Sequence, residues 1–283
     1  MFKAYSFESN LKGPHILILG AVHGNEIAGT IAGQKLIDLF ETEKLTLKKG
    51  KLTIIPVVNE LAQKMDTRFV DENLNRVIKF HPTPSSHEQK IANQLISYID
   101  TADILLDLHS THCEEDEAFA FIDYPTQENL DFLNFVPVHT ALAGWPEIYK
   151  QNTDIDNFST EEYAHQKGVS ALTVECGYHK AEKAIQLAEK TILNTLNHFG
   201  VIEGNTPSPC NKKIITLSSF IIKEKEGSLQ KNFKHLDKIT KNEIIATYNT
   251  GEKLTSPFDG VIIMPNHGAG LGAEWYYLGK EII

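Results

Sequence analysis

Over the first 200 residues, short apolar runs alternate with amphipathic stretches. His15-Ile16-Leu17-Ile18-Leu19-Gly20 reads as a strand buried on both faces. After it, Ala28, Ile31, Ala32, Leu36, Leu39 and Phe40 recur at helical spacing and predict a helix over about 26–40. Leu52 to Val58 predicts a second strand, and residues 60–85 an irregular polar segment. Ser86 has the form of an N-cap with Gln89 as its capping-box partner, opening a helix that turns Ala92, Leu95, Ile96 and Ile99 inward. Ala102 to Leu108 is a third apolar run, and Ala118 to Asp123 and Ala171 to Val174 read as further strands. Short helices are expected near 127–134 and 157–167. A long one carries Ala181, Ile185, Ala188, Ile192, Leu196 and Phe199 on one stripe. Strands alternating with helices are the pattern of an α/β domain.

The pattern changes after Gly200. Gly204-Asn205-Thr206-Pro207-Ser208-Pro209 reads as a linker, and only short strand-like runs follow, at 214–217, 220–223, 244–248, 260–264 and 274–278. The expected organisation is a domain over residues 1–203 and a small all-β domain over 204–283.

Composition narrows the class. No apolar run reaches the roughly 20 residues of a membrane span, and the first residues lack the pattern of a signal peptide. Cys113, Cys176 and Cys210 are odd in number and without C-x-x-C spacing, which argues against a disulfide framework. A cytoplasmic protein is expected. The net charge of −10 argues against a nucleic-acid partner. An anionic substrate would therefore need its own local cations. Of the 27 cationic residues only two are Arg, Arg68 and Arg76, and both lie within nine residues. Where surface charge is otherwise supplied by Lys, a retained Arg points to bidentate geometry. A carboxylate clamp and an oxyanion contact both fit.

The candidate chemistry collects behind the predicted strands. His23 and Glu26 follow the first, three residues apart, and imidazole and carboxylate are both zinc ligands. His109 follows the third in Asp107-Leu108-His109-Ser110, with His112 as a competing candidate in the next loop. Two His and one carboxylate leave a fourth tetrahedral position open, as catalytic rather than structural zinc sites do. Glu175, after Thr173-Val174, is placed as a general base, although a capping or salt-bridging Glu would read the same.

Together these segments resemble the aspartoacylase and succinylglutamate desuccinylase family, a branch of the zinc-carboxypeptidase-like hydrolases. His23-Gly24-Asn25-Glu26 is similar to its first two metal ligands, and Asp107-Leu108-His109 to the segment of its third. Arg68 through Arg76 is similar to its R-x-x-D-x-D-L-N-R signature, and Val174-Glu175-Cys176-Gly177 to its general-base segment. The resemblance implies a mixed sheet flanked by helices, with a small C-terminal all-β domain. It implies one zinc ion per chain, Arg68 on the scissile carbonyl, Asn75 and Arg76 on a substrate carboxylate, and Tyr277 reaching the substrate. Two departures stand out: Asn73 replaces a usual Asp and Val77-Ile78 an aromatic. The further Arg that aspartate-specific members use between third ligand and base is absent.

The expected activity is zinc-dependent hydrolysis of the amide of a small N-acyl amino acid or related carboxylate, with neither nucleic acid nor membrane as partner. A homo-oligomer is compatible with the sequence. The alternatives are a zinc carboxypeptidase and a metal-binding protein without turnover. A β tail that caps the cleft would admit only small substrates.

Overall fold

A computed structural model describes residues 2–114, 116–150 and 158–281. The strands are β1 (Tyr5–Glu8), β2 (His15–Gly20), β3 (Lys51–Ile55), β4 (Ile104–Thr111), β5 (Phe119–Phe121), β6 (Thr140–Ala143) and β7 (Ser170–Tyr178). After them come β8 (Lys213–Ile222), β9 (Gly227–Leu229), β10 (Lys238–Ile239), β11 (Ile244–Tyr248), β12 (Lys253–Thr255), β13 (Gly260–Ile263) and β14 (Glu274–Glu281). The helices are α1 (Ala28–Glu41), α2 (Glu60–Lys64), α3 (His87–Ile99), α4 (Gln127–Phe135), α5 (Trp145–Lys150), α6 (Thr160–Gln166) and α7 (Glu182–His198).

One mixed sheet of eleven strands, ordered β1-β3-β2-β4-β7-β5-β6-β8-β14-β13-β10, organises the chain. Its centre, β3-β2-β4-β7, is parallel. Parallel strands covered on both faces are expected to be apolar throughout, and β2 and β4 are buried along their whole length. Alternate side chains of β2 feed two cores. Ile16 and Ile18 pack with α1, α4 and α7 on one face; Leu17 and Leu19 pack with α3 and α6 on the other. Helix α1 turns Ala28, Ala32, Leu36, Ile37 and Phe40 inward. Leu39, expected on that stripe, is 37% exposed, because the helix starts at Ala28 and the stripe drifts one position towards Ile37.

Ser86 caps α3, its Oγ accepting from Gln89 N–H at 3.0 Å. The Gln89 side chain accepts from Ser85 N–H, one residue earlier than a capping box requires. The helix expected over 157–167 forms over Thr160–Gln166; residue 157 lies outside the described residues.

All regular elements described after residue 204 are strands. The runs expected separately at 214–217 and 220–223 are one strand, β8. Its ladder with β14 continues past the Ser218-Ser219 pair through a register shift that absorbs the extra residue. Parallel pairing of β8 with β6 joins β8, β14, β13 and β10 to the main sheet. Strands β9, β11 and β12 make a separate three-stranded antiparallel sheet. No helix among the described residues is long and apolar enough to cross a membrane.

Candidate active site

The carboxyl ends of the parallel strands carry the polar groups, where open α/β sheets place their ligands. The turn between β2 and α1 holds His23 and Glu26, closed by a Glu26 N–H bond to the His23 carbonyl. Glu26 thus sits in the turn, two residues before the helix. Gly24 between them is required by a close approach, since a Cβ there would lie 2.3 Å from the Ala62 carbonyl carbon of α2. Strand β4 runs two residues beyond His109, so His109 is part of the ladder rather than the first residue past it. There it stands opposite Glu175 of β7. Just past this pair, β7 bulges through Gly177 at φ +92°, a conformation that favours glycine.

His23, Glu26 and His109 converge. Their ligand atoms all lie within 4.8 Å of one another, and all three residues are buried. His23 Nδ1 is 2.9 Å from Glu26 Oε1 and 3.1 Å from His109 Nδ1, which is 2.9 Å from Glu26 Oε2. His112, the competing candidate, is exposed and lies outside this group.

The outer nitrogens decide whether these rings suit a metal ion. Asn75 N–H donates to Asn73 Oδ1 at 2.9 Å, so that atom is an acceptor, and it lies 2.9 Å from His23 Nε2. The His23 proton therefore sits on Nε2, and the Nδ1 lone pair faces inward. Asp107 Oδ2 lies 3.0 Å from His109 Nε2 as an ion-pair neighbour, without a well-aligned hydrogen bond, and Thr160 Oγ1–H in turn donates to Asp107 at 2.7 Å. Metal-bound histidines are commonly oriented by such outer partners, and the residues present fit one divalent ion. Burial and the Arg68 charge push His23 down to about 4. Burial opposes protonation of His109 too, but the Asp107 and Glu26 carboxylates outweigh it and hold that ring well above the usual range. For Glu26 the two rings outweigh burial, and its carboxyl is held well below the usual range.

Glu175 is 8% exposed, and its Oε2 has no hydrogen-bond partner. Burial, reinforced by the Glu26 charge, pushes it up to about 8. Arg68 is half exposed at the rim, with Nη1 2.7 Å from Glu26 Oε1. Arg76 lies in the wall, where Nη2 donates to the Tyr149 hydroxyl at 2.9 Å. That hydroxyl also receives Trp145 Nε1–H, donates to Glu274 at 2.8 Å, and lies 3.1 Å from the Tyr277 hydroxyl. Asn75 Oδ1 accepts from Thr160 N–H, which leaves its NH2 for a ligand.

Two cavities meet at this centre. The smaller, about 100 Å3, is lined by His23, His109, Asn75, Arg76 and Tyr277, and also by Asp123, Glu161 and Glu274. Burial pushes Asp123 up to about 7 and Glu161 well above the usual range. The larger, about 330 Å3, opens over Ser110, His112 and His179. Arg68, Glu175 and Met264 line both. Residues 232–235 and 264–267 of the β tail wall the larger cavity, and Glu274 and Tyr277 the smaller, so the tail is part of the site.

Every residue expected at the site from sequence lies at this centre or in the walls of its cavities. Asp107, Thr160 and Tyr149 were missed. Asp107 carried a readable signal: D-x-H on a strand puts carboxylate and ring on one face.

Comparison with known proteins bears on the same residues. The profile of the succinylglutamate desuccinylase/aspartoacylase catalytic domain matches residues 12–199. The chain is 26% identical over 259 residues to the N-alpha-acetyl-L-2,4-diaminobutyric acid deacetylase of Halomonas elongata, a match covering 83% of this chain and 70% of that protein. It is 31% identical over 185 residues to the succinylglutamate desuccinylase of a Shewanella species. That match covers 59% of this chain and 51% of the relative, so the chain spans about half the length of the desuccinylase. Among solved structures, the product-bound ectoine utilization protein EutE (DoeB) of Ruegeria pomeroyi superposes with a TM-score of 0.77 at 20% identity, over 98% of this chain and 88% of that one. The succinylglutamate desuccinylase of Vibrio cholerae gives 0.75 at 16%, over 96% and 82%. At these identities the superpositions show the shared fold.

Proposed function

Because this chain belongs to the succinylglutamate desuccinylase/aspartoacylase family, we propose that it is a zinc-dependent deacylase cleaving the amide of a small N-acyl amino acid. One observation carries the reading. Glu175, with its unpartnered oxygen, stands in register beside a buried His23, Glu26 and His109 group whose ligand atoms converge within 4.8 Å.

Zinc held by His23, Glu26 and His109 would supply Lewis acidity to a water molecule and to the scissile carbonyl. The protein's own residues do the rest. Glu175 accepts the proton lost by the attacking water and carries it to the amide nitrogen as the C–N bond breaks, and with the water's second proton passed on in the same way the products are a carboxylate and an ammonium. An elevated pKa suits this group to hold the proton between the two transfers. Arg68, half exposed at the rim, answers the negative charge that develops on the carbonyl oxygen. Asn75 and Arg76 hold the amino-acid carboxylate, with Tyr277 beside them. Tyr149 positions Arg76 by accepting from it.

The enclosed cleft favours this reading over a carboxypeptidase, since tail residues wall both cavities and a long peptide would have to displace them. A metal-binding protein without turnover would have no use for a buried, unpartnered Glu175.

The metal assignment predicts near one zinc per chain by elemental analysis. His109→Ala should lose it, and Asp107→Asn should weaken binding by roughly 10–100-fold. Full occupancy in His109→Ala would move the site to His112.

The acids of the smaller cavity narrow the amino acid. A second carboxylate on the substrate would find Glu274 in the wall and no Arg in the chain beyond Arg68 and Arg76 to meet it. An amino acid with a neutral or cationic side chain fits better, in keeping with the name of the Halomonas relative. In an amine-release screen of N-acetyl amino acids, such substrates should exceed the aspartate and glutamate derivatives by about tenfold or more, roughly 1.4 kcal/mol. Chelator should abolish release. Preference for acetylaspartate, or turnover that survives chelation, would count against the assignment.

A further inference from the structure

Deacylation asks Arg68, a half-exposed side chain, to meet a charge that develops at one point, yet the segment behind it has no regular structure. Residues 69–72 belong to no helix or strand. They run between α2, which ends at Lys64, and a single helical turn at Leu74–Arg76. Before them, the Arg68 carbonyl accepts from Gly24 N–H at 3.1 Å. After Arg68, the fixed point is a side chain of α3. Glu88 Oε1 accepts from Val70 N–H at 2.8 Å, and Oε2 accepts from Asp71 N–H at 3.1 Å and Glu72 N–H at 3.3 Å. Oε1 also accepts from Asn59 Nδ2–H at 2.9 Å, and Asn59 caps α2.

Glu88 is 0% exposed. A buried Glu is rare unless its charge is met, and here four neutral N–H groups meet it. Three successive backbone N–H groups turned on one anion form a nest. Burial opposes the charge, but the Val70, Asn59, Asp71 and Glu72 donors outweigh it and hold the carboxyl below its usual range. An ionised carboxylate suits the place because both of its oxygens accept and neither donates. The grip is returned from the loop. Asp71 Oδ2 accepts from His87 N–H at 2.7 Å, and Glu72 Oε1 from Gln89 Nε2–H at 2.9 Å. Glu88 itself is absent from the lining of both cavities, so whatever it does for the reaction passes through the loop.

The two arginines depend on this latch unequally. Arg76 has anchors of its own: its N–H donates to the Asn73 carbonyl, its carbonyl accepts from Phe158 N–H, and its guanidinium donates to Tyr149. Arg68 lies two residues from Val70. We propose that Glu88 is the positioning residue of Arg68, its carboxylate fixing the backbone just beyond Arg68 and so setting where the guanidinium meets the scissile carbonyl. The proposal rests on the deacylase reading.

Glu88→Gln keeps the shape and replaces one acceptor oxygen with an NH2 that must face N–H donors. Hydrogen exchange at the Val70, Asp71 and Glu72 amides should quicken by about tenfold or more, while the amides of β2 and β4 keep their protection. On the substrate that the screen above ranks first, kcat should fall by about tenfold or more with KM within about twofold, since a small misplacement of a catalytic group slows the chemistry. A double-mutant cycle identifies the route. In an Arg68→Lys background the same substitution should lower kcat by less than about twofold, because the contact it disturbs has already gone. A loss of folded protein would cost the same factor in both backgrounds. Asn59→Ser keeps a capping side chain for α2 and removes one donor to the carboxylate. It should give a smaller loss with the same dependence on Arg68, and it guards against a Gln variant that does not fold. Equal losses in the two Arg68 backgrounds overturn the proposal. So does unchanged kcat in Glu88→Gln, or full protection of the three amides. In each case amine release by the wild type leaves the deacylase reading standing, whereas no release by the wild type overturns that reading and the proposal with it.

Discussion

Glu175→Gln should lower kcat by a factor on the order of 10² or more while zinc content stays at the wild-type level. The substitution keeps the shape of a side chain that is 8% exposed, so packing changes little. What it removes is the proton transfer proposed for that carboxyl. Glu175 lies outside the three converging ligands and opposite His109 in the β4–β7 ladder. Its Oε2 has no protein partner whose loss could be mistaken for the effect. A glutamine there can neither take the proton from water nor return it to the leaving nitrogen. Elemental analysis beside steady-state kinetics separates the outcomes. Loss of zinc would make Glu175 a ligand, and undiminished turnover would remove it from the chemistry.

The second large effect separates the two arginines. Arg68→Lys should depress kcat by about 10², or about 2.7 kcal/mol, the range for one lost oxyanion donor. Arg76→Lys should mainly raise KM, because a carboxylate is charged in ground and transition states alike and its clamp contributes to both. The surroundings agree with this division. Arg68 is half exposed at the rim shared by both cavities, with Nη1 on Glu26 Oε1. Arg76 is fixed in the wall, donating to Tyr149 and to the Asn75 carbonyl, and stacked 5.1 Å from the Tyr149 ring centroid. Lysine keeps the charge at either place and loses the fork. An amidated substrate sharpens the test, since it should be poor for wild type and lose little more on Arg76→Lys. Equal losses for acid and amide would take Arg76 out of the clamp. A Arg68→Lys variant with raised KM and intact kcat would take Arg68 off the carbonyl.

Much of this centre was legible from the chain. Strand β2 and the turn behind it were readable because a parallel strand buried on both faces is a continuous apolar run, and the polar residues at its end stand out against it. His109 converges with His23 and Glu26 although its strand runs on to Thr111, since two further residues of ladder do not change the face it occupies. The amphipathic helices α3 and α7 followed from periodicity. What was not legible lacks a period. Strand β6 and helix α5 are four and six residues long, too short for a repeat to declare itself, and with them went Tyr149. The larger cavity draws residues from 25, 110, 179 and 235, and no local pattern joins positions so far apart.

The pairing of β8 with β6 also bears on how anything enters or leaves. Both walls of the cleft hang on one hydrogen-bonded sheet, so swinging the tail aside as a rigid lid would tear a parallel ladder from Thr140 to Ala143 against Lys213 to Thr216. Hinged domain closure, a common way for enzymes to shield a reaction from water, would cost this molecule the hydrogen bonds of that ladder. The segments that line the larger cavity, residues 232–235, 264, 265 and 267, lie outside that ladder. Such segments move on microsecond to millisecond timescales, and in many enzymes it is their opening, after the bond is broken, that sets the pace of turnover.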